Sequence, residues 1–251
     1  MQVDVQGGAR PTPFLQARDV FTTEFDLDRP VKVFVSADPD QRTYTAHPPD
    51  HHVLTISDAV ASSGMARELA LHEFSHMLRN EQHHPSHTQS TPEALFLALA
   101  GERVERRKVT QSFQIANHMK DIYADDITLS LASSEKLVTY LESELADAVA
   151  DRPTAAPAGW TRLTGTTDPE ITAINAAFAL ALLERHDLID RMHPIYDLAA
   201  IANDDAPGIH VKSFKRLFRD LDDRCDASEY RRTLVEAVRT YATADPEPAA
   251  D

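Results

Sequence analysis

A chain of 251 residues is long enough for one large or two small domains, each with a buried core. Its 40 acidic against 25 basic residues give a formal charge of −15, and lysine is confined to Lys32, Lys108, Lys120, Lys136, Lys212 and Lys215. An acidic, lysine-poor surface argues against nucleic acid as a partner. The single cysteine, Cys225, allows no intrachain disulfide and points to a reducing compartment. No basic segment followed by an apolar one opens the chain and no apolar run approaches about 18 residues, so a cytoplasmic protein without a membrane partner is expected.

The first predicted element is a helix. Thr12-Pro13 reads as a cap followed by proline, and Phe14, Leu15, Ala17, Val20 and Phe21 repeat at helical spacing before the Arg29-Pro30 break. Val31 to Ser36 and Val53 to Ile56 alternate apolar and polar residues as half-buried strands do. Thr43 to Ala46 is a weaker strand between them, joined to the later one by the Pro48-Pro49-Asp50 turn. A small sheet therefore precedes a proline-free helical run from Met65 to Asn80.

His83-His84-Pro85-Ser86-His87 then reads as a loop, and Thr91-Pro92-Glu93 opens a helix that is apolar on every side from Ala94 to Ala100, hence expected to be buried. It turns charged from Glu102 to Lys108, and a further helical segment from Ser112 to Leu129 is separated from it if the chain bends near Val109-Thr110. Ser133 to Ala150 is amphipathic, with Leu137, Leu141 and Leu145 on one line. Residues 151–167 are rich in Pro, Ala, Thr and Gly and read as a linker. Asp168-Pro169-Glu170 caps a hydrophobic helix through Leu183, and two or three more helices carry Leu198, Phe214, Leu217, Phe218, Leu234 and Val238. The expected fold is α+β and mostly α: a small sheet packed on the Met65 to Asn80 helix, then a helical carboxy-terminal region. The expected division is a metal-binding domain at 1–150, the linker at 151–167 and a helical domain at 168–251.

The helix from Met65 carries His72-Glu73-Phe74-Ser75-His76, an HExxH motif. Residues four apart on a helix stand one above the other, about 5–6 Å apart at Cβ, so both imidazoles can converge on one ion. A neutral imidazole pair suits Zn²⁺, and Glu73, one step round the helix, can take a proton from a water held there. A buried amphipathic helix with two hydrogen-bonded histidines is the plain alternative, and it leaves Glu73 without a partner.

A catalytic zinc site needs a third protein ligand. The metzincin spacing is not met, because Arg79 and Gln82 stand where glycine and histidine are required. His83, His84 and His87 could supply an imidazole, and Glu102 could supply a carboxylate from the next helix, although it could equally pair with Arg106. The preferred candidate is Asp121. It stands four residues from Asp125, so both carboxylates leave one helical face, one for the metal and one for a ligand histidine's remaining N–H.

HEFSH after a small sheet, followed by a carboxylate on a later helix, resembles the zincin metallopeptidases, especially the gluzincin branch. In several gluzincin families the third ligand opens a Glu-x-x-Ala-Asp segment, to which Asp121-Ile122-Tyr123-Ala124-Asp125 is similar, with aspartate in place of the usual glutamate. The likeness spans Val31 to Leu129. The chain as a whole resembles an uncharacterised family of haloarchaeal proteins with HEFSH, HPSH and DIYADD segments, in keeping with its halophilic composition. The zincin resemblance implies a zinc-dependent hydrolase acting on a peptide or protein. Glu73 would be the general base and later the acid, and Tyr123 or His118 would be candidates for stabilising the oxyanion. The competing reading is an inactive zincin-like scaffold serving protein interaction. No Gly-rich phosphate loop and no Gly-x-Ser-x-Gly elbow offers another chemistry.

Overall fold

The computed structural model describes residues 1–8, 10–150 and 168–244, so the expected linker at 151–167 lies outside the described residues. These form two compact units: Met1–Thr88 with Tyr123–Ser133, and Gln89–Ile122 with the described chain from Ser134 onward. The α+β, mostly α expectation holds at that level, since one small sheet stands among many helices.

The first unit contains β1 (Val3–Gln6), α1 (Thr12–Phe21), β2 (Val31–Ser36), β3 (Tyr44–Ala46), β4 (His52–Ser57), the short α2 (Asp58–Ala61), α3 (Ala66–Glu81) and the single-turn α4 (Pro85–Thr88). The strand order is β1-β2-β4-β3. β2 pairs parallel with both β1 and β4, while β3 runs antiparallel along β4. β1 is an element the sequence reading did not include. Alternation places Val31 and Val33 of β2 and Leu54 and Ile56 of β4 at zero exposure. They meet Phe14, Ala17 and Phe21 of α1 and Leu71, Phe74, Met77 and Leu78 of α3 in one apolar cluster. Gly7, just after β1, has φ +111°, and a Cβ there would come within 2.6 Å of the Val35 carbonyl oxygen, so both conformation and space require glycine.

The second unit begins with α5 (Thr91–Leu99), capped by the Ser90 hydroxyl, which accepts from the Glu93 N–H. Its all-round burial is a wrong expectation. Ala94, Leu95 and Ala98 are buried, but Phe96 is 72% exposed and Leu97 43% exposed, because the neighbouring helix α11 (Ala227–Ala242) covers only one stripe. The helix stops where Ala100 turns extended and Gly101 adopts φ +85°. α6 (Arg106–Leu131) then runs through Val109-Thr110 without interruption. The chain does break before Ser112, but over residues 100–105 and not at Val109-Thr110.

α7 (Glu135–Ala150) belongs with the later helices, not with the first domain as the division at 150 expected. Its Leu145 and Val149 join Ala176, Ala179, Leu180 and Leu183 of α8 (Pro169–Arg185) and Ile195, Ala199 and Ala202 of α9 (Ile195–Asp204) in one cluster. The capping aspartate Asp168 accepts from the Glu170 and Ile171 N–H groups, and α8 is buried on nearly every side. α10 (Val211–Arg219) packs on α8 through Phe214 and Phe218, and Asp226 and Glu229 close a capping box at the start of α11. Among the described residues no helix is long and apolar enough to cross a membrane.

Candidate metal centre

α3 is held at its last turn by Glu81. The Glu81 carboxylate accepts from the backbone N–H groups of Asp28 (2.8 Å) and Arg29 (3.0 Å), from Arg29 Nε (3.2 Å) and from His52 Nε2 (2.9 Å). Arg29 also donates to Asn80 Oδ1 (2.8 Å) and to the Pro48 carbonyl (3.0 Å). The helix end is thereby tied to the entrances of β2 and β4. Burial alone would raise the Glu81 pKa, but these donors outweigh it and hold the carboxyl below its ordinary value.

Along the body of α3, Ser75, between the histidines, and Arg79, just past them, fix the helix against α6. Ser75 Oγ donates to the Leu71 carbonyl and lies 3.0 Å from Thr128 Oγ1, and Arg79 Nε donates to the Tyr123 carbonyl at 2.9 Å. Leu71, Phe74, Met77 and Leu78 turn into the core, which leaves His72, Glu73 and His76 half-buried on the other side. Glu73 has no hydrogen bond or ion pair among the described residues.

The two motif imidazoles point their Nε2 atoms at each other, 2.9 Å apart. His72 Nδ1 is engaged by Asp125 Oδ1 at 2.7 Å, and His76 Nδ1 by His87 Nε2 at 2.7 Å. Asp121 stands one turn before Asp125 on the same continuous helix α6. One ligand atom from each of His72, His76 and Asp121 falls within 4.8 Å of the others. Ligand bonds of about 2.0–2.2 Å in a tetrahedron separate ligand atoms by roughly 3.3–3.6 Å. Two nitrogens and one carboxylate oxygen within this span are therefore a donor set that suits Zn²⁺ after small adjustments, with a fourth position left for water.

A family model of unknown function, DUF5781, matches residues 1–243. The chain belongs to that family. No curated protein and no solved structure matches it. The family description assigns no activity.

Glu102, the alternative carboxylate, lies in the exposed turn between α5 and α6 and is not in the cluster. Tyr123 is 1% exposed with its ring 4.5 Å from that of His84. His118 is 5% exposed, stacked at 4.1 Å on Phe178, with Nε2 2.8 Å from Asn175 Oδ1 and 3.3 Å from Gln114 Nε2. Both side chains are packed as core residues. That accounts for their placement without an oxyanion role. His118 Nδ1 lies 3.8 Å from Asp121 Oδ2, near enough to steady the carboxylate and too far for a hydrogen bond.

One group differs in placement from the sequence reading, and one escaped it. Pro85-Ser86-His87 forms a helical turn, not a loop, and delivers His87 to His76; the signal was present in the HPSH spacing, with proline at a helix start. His47 Nδ1 sits 2.8 Å from His52 Nδ1, and His52 has zero exposure. Burial, then the neighbouring His52, Arg29 and His76, pushes the His47 pKa down to about 4, and burial lowers His52 in the same direction, so this pair stays neutral at pH 7. No local pattern in the sequence marks the pair.

Proposed function

We propose that this protein is a zinc-dependent hydrolase of peptide bonds. The observation that carries the reading is the grouping of one ring nitrogen each of His72 and His76 and an Asp121 oxygen within 4.8 Å, beside a 2.9 Å contact between the two Nε2 atoms whose outer nitrogens are already engaged. Histidines that merely filled a core would have no need to aim both inner nitrogens at one point beside a carboxylate. His72, His76 and Asp121 would hold the ion, and Asp125 would fix the His72 ring with its Nε2 lone pair directed inward. A bound Zn²⁺ supplies a lowered water pKa and polarises a substrate carbonyl.

The remaining work falls to the chain. Glu73 follows His72 on the same helix and is not tied up by a cation, so its carboxylate is available to take a proton from the attacking water and return it to the leaving amine. A shared proton between the two histidines accounts for their short contact equally well without a metal, and the test must separate these cases. Purified protein should retain about one zinc per chain, and the wild type should cleave peptides that Glu73→Gln leaves intact while keeping its metal. Absence of zinc binding at micromolar metal, or hydrolysis by Glu73→Gln within about tenfold of wild type, a barrier change of only ~1.4 kcal/mol, would overturn the reading. Stoichiometric zinc with no hydrolysis of any peptide library by the wild type would favour the scaffold.

A further inference from the structure

α7 carries two stripes side by side. Leu141, Leu145 and Val149 make its apolar line, and Leu145 and Val149 are buried in the cluster shared with α8 and α9. Tyr140, Glu144 and Asp147 stand at i, i+4 and i+7 and so share the neighbouring face. That face borders a cavity of about 540 Å³ whose other walls include Gln114 and His118 of α6 and Asn175 and Phe178 of α8, all within the second unit. The volume is ordinary for a small-molecule site.

Glu144 and Asp147 are exposed at the rim, and neither makes a hydrogen bond or ion pair with a described residue. Among the described residues no lysine or arginine lines the cavity. Solvated carboxylates are ordinary on a protein of charge −15, and what sets these two apart is the wall they face. On that side His118 is buried, with Nε2 2.8 Å from Asn175 Oδ1 and Nδ1 lacking a hydrogen-bond partner. The Asn175 amide N–H groups and the Tyr140 hydroxyl have no partner among the described residues either. Burial and then the Glu144 charge raise the Tyr140 pKa, so its hydroxyl stays protonated at pH 7. Phe178, stacked on His118, and Leu145 give the interior an apolar side. Carboxylates at the mouth and aromatic rings within attract a cation and repel an anion, while the apolar wall favours a hydrophobic body behind the charge. We propose that this cavity binds an organic ammonium ion with an apolar tail, Glu144 and Asp147 holding the charge while Leu145 and Phe178 flank the tail. None of the proposed zinc ligands lines it, so such binding is separate from hydrolysis. A free amine and the lysine side chain of a peptide both offer this chemistry.

Calorimetric and NMR titration of the full chain with phenylbutylamine tests this, with phenylbutanol as the neutral counterpart of similar shape. The amine should saturate with a dissociation constant below about 1 mM, and the alcohol should bind about tenfold more weakly, as the loss of two partly exposed charge contacts predicts. The double variant Glu144→Gln with Asp147→Asn should bring the amine to the level of the alcohol. Both positions are exposed, so the fold should be kept, and thermal midpoints check that. Ala148→Phe, on the cavity wall, should remove binding of both compounds. Nα-acetyl-lysine amide separates the two sources: affinity within about tenfold of the amine's points to a peptide side chain, and weaker binding points to a free amine. The proposal is overturned if neither the amine nor the lysine derivative saturates by about 10 mM, if amine and alcohol bind equally, or if either variant binds the amine as the wild type does. A failure of zinc binding would leave it standing.

Discussion

His72 Nδ1 and Asp125 Oδ1 lie 2.7 Å apart, joining α3 to α6 across 53 residues of sequence. The contact orients one of a half-buried pair of histidines, because a carboxylate on Nδ1 fixes both the ring plane and the nitrogen that carries the proton. Asp125→Ala should therefore weaken zinc binding by about 10–100-fold, as read by competition with a chelator of known affinity. Asp125→Asn, which retains an acceptor but no charge, should fall between the two. Equal affinity in all three would show that the His72–Asp125 contact does not serve the metal.

Asp121 and Glu102 separate cleanly by experiment. Asp121 belongs to the clustered ligand atoms, whereas Glu102 sits in an exposed turn outside them. Asp121→Ala should cost most of the zinc affinity and Glu102→Ala should leave it within about twofold. The reverse result would return the third-ligand role to Glu102 and remove α6 from the metal site.

Arg79 is 8% exposed, and its Nε donates to the Tyr123 carbonyl while Nη1 donates to Gln82 Oε1 at 3.2 Å. Arg79→Met preserves most of the stem's packing but removes the charged donor. The expected destabilisation is about 1.5–3 kcal/mol, the range for hydrogen bonds to charged groups. Urea unfolding of the metal-free protein measures it. A change below about 0.5 kcal/mol would mean that the apolar packing of α3 on α6 suffices.

His47 and His52 make stability depend on pH. The folded pKa of His47 is about 4 against an ordinary 6.5, so the fold favours the neutral ring. That contribution is fully present above pH 6.5 and is lost as the pH falls towards 4. The charged or titratable neighbours involved are Arg29, His52, His76 and Glu81. Glu81, held below its ordinary 4.5, adds its own loss from about pH 4.5 downward, at the acid end of that window and below it. Thermal midpoints of metal-free protein should drop between pH 6.5 and 4, and His47→Gln, which cannot be protonated, should flatten part of that drop. An identical pH profile in the variant would remove His47 from the acid response.

Much of the organisation was legible because it is written locally. Alternation marked β2 and β4, Asp168-Pro169 marked the start of α8, and the proline-free run around HEFSH marked α3 within a residue or two of Ala66–Glu81. Where several local signals compete, the reading drifted. β1 has only four residues and gains its identity from pairing with β2. The break after α5 went to Ala100-Gly101, where φ +85° suits glycine, and not to the β-branched Val109-Thr110, which a helix tolerates.

By itself the sequence determined the helix that carries His72, Glu73 and His76, and therefore their common face, because a spacing of four residues is a local property of any helix. It could equally say that Asp121 and Asp125 share a side of α6, since that too is local. Which histidine Asp125 would hold, whether Glu102 or Asp121 would approach the pair, and what would back His76 depended on tertiary structure. Those contacts join residues 11 to 53 apart in the chain, and the one to Asp125 exists only once burial of Leu71, Phe74, Met77 and Ile127 has brought α3 and the end of α6 together. No periodicity encodes such a distance, because it is set by how side chains fill a shared core and not by the repeat of any one helix.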